Sequence, residues 1–590
     1  MYRTASPYIK ELIKGEINWH PFTMETLQKA IMEDKMIFVH IGNISNINRR
    51  NAAYELFSNK DIIQILNNNF VAVALDTEDV PEAYLIGMDL LLINEQKISD
   101  HINIFSLPGI KPVTSFSSLL PDDFLYIANN LLISYEDQRD KLEVASKFLT
   151  RRLKFSGVVT EKEAPKSISA KLLHAYIRSW ASRFLNKENK IRRAPYRITA
   201  RNLNFILEYA YRYNITEYLQ YIEETLVHVY YSPLFDPIDG GVFSEARDYS
   251  FQRPSYEKNI YENANAAILF TTAHKYLKKK IFKEAAERIV HFLEHQMNLH
   301  GRGYITYITL SKCPEESTYY KYTLGELRNA FPKKYISIAK KLGMEITAEE
   351  TTYQTIRNTP QYWEIEHNEL ETLKKIRYCR KGELILDKRI MTGYNCRTAV
   401  AFCIMAKNSR SGEKQQYLQM AKSIIDNIVK HQRKGNLHLY KYISSTRVEY
   451  STSDLYDYSL FLNCLLNYYM ITKDETYNNL AKTYTKYIME NHFQPESGMF
   501  TKMAKNQAIK RLKRAPVIDY NTLSSNSIMA DNLLMLYKVS KGKSIYINTF
   551  KQQIYNIEPQ LIGSGPFMTG WGMQVLNYLT EYASDTPEKE

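Results

Sequence analysis

The feature that most constrains the fold is a run of amphipathic helical segments that fills the chain beyond residue 168. In each segment, apolar residues recur at the spacing of a helix with one buried face. Every second segment is polar on one face only, whereas those between carry polar or aromatic clusters at their amino-terminal ends, such as Arg201-Asn202. The segments lie near 168–186, 199–213, 216–231, 256–277, 282–298, 394–408, 414–432, 454–472, 475–493, 525–541, 545–556 and 571–583.

Six helical pairs with this alternation predict an (α/α)6 toroid, in which six inner helices form a ring inside six outer ones. The amino-terminal ends of the inner helices then converge on one funnel. Glycine-bearing, strand-like inserts separate the pairs, and we expect them to form hairpins at its mouth. They are Asp239–Phe243, Gly301–Thr309, Leu437–Tyr450 and Gly498–Thr501.

One helix start, within Pro254–Ala264, is unusually polar. Pro254 and Ser255 are good helix-start residues, so we expect the helix to begin there. The polar residues that follow can be a simple cap, with Glu257 complementing the helix dipole. They can also form the rim of a cavity. These residues are Glu257, Lys258, Tyr261, Glu262 and Asn263.

The first 135 residues follow a different pattern. Two continuous apolar runs, Met36–Ile41 and Phe70–Asp76, are typical of strands buried on both faces. A helix at 49–68 joins them, and a two-stranded hairpin and a helix follow. This order predicts a thioredoxin fold. The later elements are strands Ile102–Leu107 and Pro112–Ser118 and a helix from Pro121 to Ile133.

A helix near Gln138–Arg152 and the polar stretch Gly157–Ser167 join the two patterns. We therefore predict a thioredoxin-like domain at 1–135, a linker helix and joint at 136–167, and a toroid at 168–590.

Composition narrows the function classes. The net charge is +13, but Lys and Arg are interspersed with Asp and Glu, which favours solubility over nucleic-acid binding. None of the five cysteines forms a C-x-x-C pair. No phosphate-binding loop and no metal-ligand spacing is present, so we expect neither cofactor nor metal. Without a membrane-length apolar run or a signal-peptide core, we expect a cytoplasmic protein that binds no membrane.

Three short stretches near the start resemble a known family: Ser6–Ile9, Asn18–Phe22 and Ile37–Gly42. They are similar to the thioredoxin-domain family called spermatogenesis-associated protein 20, or domain of unknown function 255. That family follows its first strand with Cys-His-Trp-Cys-His. Alignment without gaps from Ile37 places its two cysteines on Asn46 and Arg49.

The resemblance also implies a proline at the position of His101. Where the family has Gly-Trp-Pro, similar to the cis-proline loop of thioredoxins, this chain has Ser99-Asp100-His101. Thiol exchange needs an attacking thiolate and a partner sulfur, which Asn46 and Arg49 cannot supply. We therefore predict a redox-inactive domain that serves as a structural module or docks a protein partner.

The family resemblance continues through the second half, with 315–386 only loosely aligned. The family's second domain resembles N-acylglucosamine 2-epimerases and six-hairpin glycosidases. The stretch Pro254–Ala264 is similar to the family's Pro-His-Phe-Glu-Lys-Met-Leu-Tyr-Asp-Asn-Ala, with Ser255 replacing the histidine. The other matching segments are Asp236–Gly241, Thr392–Asn395, Asp457-Tyr458, Asp519 and Ser524–Ser527.

The funnel residues suggest carbohydrate chemistry. Two carboxylates flanking a sugar suit glycoside hydrolysis, and the catalytic candidates are Glu257, Asp457 and Asp519, with Glu262, Asp239 and Asp248 as further carboxylates. Epimerisation usually needs histidines or another proton-transfer pair, and Ser255 argues against it. The predicted ligand-binding residues are Glu257, Lys258, Tyr261, Asn263, Asn395, Asp457, Tyr458, Ser524, Asn526 and Trp571.

Two functions follow from these patterns. The toroid binds or modifies a carbohydrate-like small molecule, or both domains are catalytically inactive scaffolds for a protein partner. The first is the function that the sequence favours, and the second is the alternative.

Overall fold

The structure is a computed structural model that describes residues 4–155, 157–159, 168–184, 196–435, 437–444, 453–504 and 514–583. The chain divides into two compact units, with the boundary between Val158 and Val159. Parts of the predicted joint (160–167) and of the third predicted hairpin (445–450) lie outside the described residues.

Four strands and seven helices make up the first unit. The strands are β1 Met36–Gly42, β2 Phe70–Asp76, β3 Ile102–Leu107 and β4 Lys111–Phe116. The helices are α1 Pro7–Leu12, α2 Met24–Met32, α3 Ile47–Phe57, α4 Lys60–Asn69, α5 Pro81–Ile93, α6 Pro121–Asp137 and α7 Arg139–Phe155.

The four strands form one sheet in the order β2-β1-β3-β4, in which β1 runs parallel to β2 and β3 is antiparallel to both β1 and β4. This arrangement confirms the thioredoxin-like prediction. Every residue of β1, β2 and β3 is buried, as continuous apolar strands require.

The helices of this unit differ from the prediction in three places. The helix predicted at 49–68 is broken into α3 and α4, because the Asn59 side chain caps α4 by accepting from the amides of Asp61 and Ile62. Helix α5 fills a segment for which no element was predicted. Helix α7, assigned above to the joint, packs on β3 and β4, so the first compact unit extends past residue 135.

The second unit is built mainly of helices. Its six inner helices are α9 Ala200–Arg212, α11 Ile260–Leu277, α16 Thr392–Asn408, α18 Leu455–Thr472, α20 Ser525–Val539 and α22 Thr569–Glu581. The outer helices are α8 Ala170–Phe184, α10 Thr216–Tyr231, α12 Lys280–Phe292, α17 Ser411–His431, α19 Glu475–Asn491 and α21 Ser544–Ser564.

Short strands and an inserted subdomain complete this unit. The inserted helices are α13 Leu324–Ala330, α14 Tyr335–Lys341 and α15 His367–Tyr378. The strands are β5 Lys258–Asn259, β6 Tyr307–Leu310, β7 Lys321–Tyr322, β8 Gln354–Thr355, β9 Leu384–Asp387, β10 Ile390–Met391, β11 Arg433–Lys434, β12 His438–Leu439, β13 Tyr442–Ile443, β14 Phe493–Gln494 and β15 Met499–Phe500.

The inner helices form a closed ring. Each packs against the next in the order α9, α11, α16, α18, α20 and α22, and α22 packs back against α9. Small side chains allow the close approach of α11 and α16, where Ala264 and Ala401 share a buried cluster with Ile268. The closed ring confirms the predicted toroid. Within the described residues, no helix is both long and apolar enough to cross a membrane.

The start of α11 differs from the prediction. The helix begins at Ile260 with Asn259 as its cap, whereas Pro254 and Ser255 precede it in extended structure. Tertiary pairing is the cause, because Lys258 and Asn259 pair with β6. Tyr256 has φ +57°, which also prevents a right-handed helix there.

Candidate functional site

The degenerate redox positions of the first unit make structural contacts. Asn46 caps α3 by accepting from the amide of Arg49 at 3.2 Å. The Arg49 guanidinium donates to the carbonyl of Ser117 at 2.6 Å and pairs with Asp100 at 3.2 Å. At the positions where the family has thiols, Asn46 therefore caps a helix and Arg49 binds neighbouring loops.

A buried histidine network adjoins these positions. Asn103 donates to the carbonyl of Ser118, so its amide oxygen accepts from His40 Nδ1, and His40 Nε2 accepts from the Tyr8 hydroxyl at 2.7 Å. Burial, with a contribution from His101, lowers the pKa of His40 to about 3. His101 itself is fully buried, and its Nε2 atom has no hydrogen-bond partner.

In the second unit, a polar cluster occupies the space enclosed by the amino-terminal ends of the inner helices, which we call the lumen. Arg201 on α9 lies within electrostatic range of Tyr456 on α18, and Arg397 on α16 lies within range of Arg201. Neither pair of helices is adjacent in the ring. These side chains therefore face the lumen rather than the interior of its wall.

The loop before α20 also reaches into the lumen. The Tyr261 hydroxyl on α11 accepts from the amide of Leu523, although α11 and the loop's own helix, α20, are not neighbours in the ring. Arg201 donates through Nη2 to the carbonyls of Tyr520 and Asn521 at 2.9 and 3.4 Å. The predicted site residue Tyr261 thus faces the lumen, as do residues of the 519–523 loop.

Two buried polar atoms in the lumen lack a partner. Among the described residues, the N–H groups of Arg201 Nη1 donate to no acceptor, and the Tyr456 hydroxyl makes no hydrogen bond of normal geometry, although Thr522 lies near it. Glu262, on the first turn of α11, is half-buried beside Arg201. Burial raises the pKa of Glu262, and Arg201 and Arg197 oppose that rise.

Three predicted ligand residues instead clamp hairpins to the ring. Asn263, Asn395 and Asn526 lie in the first turns of three inner helices. Each accepts from the amide of one hairpin residue at 2.8–2.9 Å and donates back to the carbonyl of that residue at 2.9–3.1 Å. The clamped residues are Val242, Tyr304 and Phe500.

Glycines make room for two of these clamps. Gly241 and Gly303 have φ of +76° and +126°, and a Cβ on either would lie 3.0–3.1 Å from the asparagine oxygen. Tyr458 holds the third predicted hairpin in a related way, because its hydroxyl accepts from the amide of Leu439 at 3.1 Å.

Two predicted catalytic carboxylates accept from amides at the starts of inner helices. Asp457 accepts from the amide of Gly393 at 3.0 Å and faces Lys441 at 3.4 Å. Asp519 accepts from the amides of Ser524 and Gly570, both at 2.7 Å, and from the Ser527 hydroxyl at 3.1 Å. Burial raises the pKa of Asp457 to about 6 and also raises that of Asp519. Their lone pairs are therefore largely committed to the wall.

Lys258 belongs to a separate buried ion network. Its ammonium donates to Asp236 and to the carbonyl of Gly240, both at 2.7 Å, and lies 4.3 Å from the centre of the Phe292 ring. Arg377 of the inserted subdomain donates to Asp236 and to Asp239 at 2.8–2.9 Å. This network anchors helix α15 of the loosely aligned region to the loop before α11.

The remaining predicted residues have mixed positions. Ser524 caps α20, and Trp571 is fully buried with its indole N–H donating to the carbonyl of Val517 at 2.8 Å. Glu257 is buried within electrostatic range of Arg197, near the lumen. Asp248 is held in its own loop by the amides of Gln252 and Arg253.

Sequence reasoning missed two lumen residues. Arg397 and Tyr456 stand beside segments that matched the family, and neither was singled out. A signal existed for Arg397, since it is a charged residue five positions into a largely apolar helix. Arg201 had been noted as part of a polar cluster, but without a role.

The described residues of the lumen include no metal-ligating cluster. In the part of the chain that the structure describes, no group of three or more His, Cys, Asp or Glu side chains could hold a metal ion. A cavity of about 600 Å³ lies elsewhere, lined by Pro233 and Gln252 and by residues of the 343–357 segment. It contains none of the predicted site residues.

The fold and the site define a thioredoxin-like domain without thiols joined in one chain to an (α/α)6 toroid. Residues 1–154 match the family described as protein of unknown function DUF255, a thioredoxin-type family. Spermatogenesis-associated protein 20 from mouse and from human are 21% and 20% identical over 355 residues, which is 57% of this chain and 45% of each relative. These matches confirm the family resemblance, and the chain spans less than half the length of those curated relatives.

The solved structures that match the chain have low sequence identity to it and low TM-scores. A GH76 alpha-mannanase of Bacteroides thetaiotaomicron has a TM-score of 0.44 at 12% identity, with 70% of this chain and 95% of that chain covered. A sugar epimerase from a ruminal bacterium has a TM-score of 0.28 at 13% identity, with 66% and 98% covered.

Proposed function

We propose that the toroid binds a polar, hydroxyl-rich small molecule of the carbohydrate class in its lumen, while the first unit is a module without thiol chemistry. The observation that carries this proposal is the pair of buried, unpartnered polar atoms, Arg201 Nη1 and the Tyr456 hydroxyl. A buried donor without a partner costs free energy, and a bound hydroxyl or water would remove that cost.

The same site favours binding over hydrolysis. Hydrolysis requires two carboxylates on opposite sides of the scissile bond. Asp457 and Asp519 are bound to helix amides, which leaves Glu262 as the half-buried carboxylate beside Arg201. The commitment of Asp457 and Asp519 to the wall supports recognition of a ligand rather than glycosidase chemistry.

The test is a thermal-shift screen of mono- and oligosaccharides, followed by calorimetry on Tyr456→Phe. This change removes only the unpartnered hydroxyl. We expect it to weaken the best ligand about three- to tenfold, the value of one hydrogen bond. Tyr469→Phe is the matched control, because that hydroxyl lies at the other end of α18 and donates to Glu475.

A second candidate is a scaffold that binds a protein partner. The helix caps and hairpin clamps that most of the predicted ligand residues form favour this candidate. On that reading, no sugar in the screen raises the melting temperature of the wild-type protein. A ligand that binds equally to wild type and to Tyr456→Phe would place its site outside the lumen.

A further inference from the structure

Buried cations of the toroid wall are paired directly with carboxylates. Lys258 lies 2.7 Å from Asp236, and Arg377 contacts both Asp236 and Asp239. Arg389 lies 2.5 Å from Asp387. This is the usual arrangement, because an unpaired buried charge is strongly destabilising.

The two lumen arginines break this pattern. Among the described residues, neither Arg201 nor Arg397 has a carboxylate within ion-pair distance. Arg201 donates to the carbonyl oxygens of the 519–523 loop, and Arg397 donates through Nε and Nη2 to the amide oxygen of Asn265 at 2.9 and 2.8 Å. Neutral oxygens satisfy some of the N–H groups but do not neutralise the positive charges.

Asp519 and Glu262 lie within electrostatic range of Arg201 and raise its pKa, and Asp531 does the same for Arg397, but among the described residues none of these carboxylates forms an ion pair with either arginine. Asp519 faces Arg201 and Asp531 faces Arg397, and burial raises the pKa of both carboxyls, as it does for Glu262. Asp531 also accepts from the Asn463 amide at 2.8 Å. Burial lowers the pKa of Arg397, and repulsion from Arg201 acts in the same direction. Two like charges therefore face one lumen, and among the described residues neither has a carboxylate in direct contact.

We infer that the ligand of the lumen carries an oxyanion, a carboxylate or a phosphate ester on a carbohydrate, and that Arg201 and Arg397 bind it. Guanidinium groups suit this role, because they present planar forks of N–H donors to carboxylate or phosphate oxygens. The Tyr456 hydroxyl adds a neutral donor at the same place. This inference rests on the proposed function and narrows its ligand class.

Calorimetry with four probes tests the inference: glucose, glucuronate, glucose 6-phosphate and inorganic phosphate. We expect at least one charged sugar to bind about tenfold tighter than glucose at low salt, and this advantage to shrink as salt is raised. Arg397→Gln should remove the advantage while changing glucose affinity less than twofold. Arg212→Gln, at the far end of α9 and bonded to Glu208 and Asn577, is the control.

The outcomes separate the two proposals. If glucose binds as well as the charged sugars in wild type and in Arg397→Gln, the oxyanion inference is wrong and the carbohydrate proposal stands. If phosphate binds through Arg397 and no sugar does, the two arginines bind an oxyanion as inferred, but the carbohydrate proposal is wrong. If no probe binds, both are wrong. Should Arg397→Gln fail to fold, Arg397→Lys, which keeps the charge and loses the fork, gives the same comparison.

Discussion

The first unit and the toroid treat their polar residues differently. In the first unit, the positions where relatives have thiols are used by the fold itself: Asn46 caps a helix and Arg49 straps a loop. In the toroid, the wall is also closed by such contacts, but the lumen keeps Arg201 and Arg397 without carboxylate partners. An unpaired buried charge destabilises a folded chain, so we propose that a ligand binds where these two charges lie.

This comparison separates wall residues from lumen residues. Wall substitutions should change stability without changing ligand affinity. Lumen substitutions should change ligand affinity without changing stability. Substitutions at Asn46 and Arg49 should change neither the stability nor the ligand affinity of the toroid.

The largest effect is expected from a clamp residue. Asn526→Ala removes three hydrogen bonds and leaves the buried amide and carbonyl of Phe500 without partners, which should destabilise the toroid by about 3 kcal/mol. Chemical denaturation, monitored by hydrogen exchange, measures this loss of stability. Asn408→Ala, whose amide bonds an exposed carbonyl at the end of α16, should cost less than about 0.5 kcal/mol. Equal losses in both variants would contradict the clamp.

A smaller loss of stability is expected at Gly570, whose amide donates to Asp519. A methyl group on Gly570 would lie 2.6 Å from the Ser527 hydroxyl and 2.9 Å from Asp519, so Gly570→Ala should destabilise by about 2 kcal/mol. Gly563→Ala is the matched control, because no atom lies within 4 Å of its added Cβ. Thermal melts of both variants decide the matter, and a neutral Gly570→Ala would show that the Asp519 cap is loose.

The third effect depends on pH. Because burial raises the pKa of Asp457 to about 6, above its ordinary value, the folded state binds this proton more tightly than the unfolded state does. Its contribution therefore stabilises the fold as pH falls from about 6 towards 4, and is lost as pH rises through 6.

Asp457→Asn should remove this step, so the stability difference between variant and wild type should change by about 2 kcal/mol across that window. Denaturation at pH 4, 5, 6 and 7 measures it. Because Asp457 belongs to the wall, the variant should keep its ligand affinity. A parallel pH dependence in both proteins would rule out Asp457 as the titrating group.

The smallest effect is expected in the first unit. Wild type should show no insulin-disulfide reduction above blank, because no thiol occupies residue 46 or 49. Restoring both as Asn46→Cys and Arg49→Cys should still give negligible turnover, since the proline of the family loop is also absent and Arg49 loses its bond to Ser117. Turnover by wild type would overturn the redox-inactive assignment, and turnover by the double variant would show that the loop proline is dispensable.

Much of the fold was predictable because the signals are local. The apolar runs of β1 and β2 and the helical periodicity beyond residue 168 reflect which faces are buried, and burial is written in the residue types. The order of elements then indicated both the thioredoxin-like sheet and the toroid. The redox-inactive prediction likewise needed only the residues at 46, 49 and 101.

Two features needed the tertiary structure. The start of α11 moved to Ile260 because Lys258 and Asn259 pair with β6, a strand some fifty residues later in the chain. The direction of each polar side chain at an inner-helix start was the second. Neighbouring positions on a helix point about 100° apart, so Asn395 meets a hairpin while Arg397, two residues later, reaches the lumen. The sequence placed polar residues at the right helix ends, but only the closed ring decided which belong to the wall and which face the lumen.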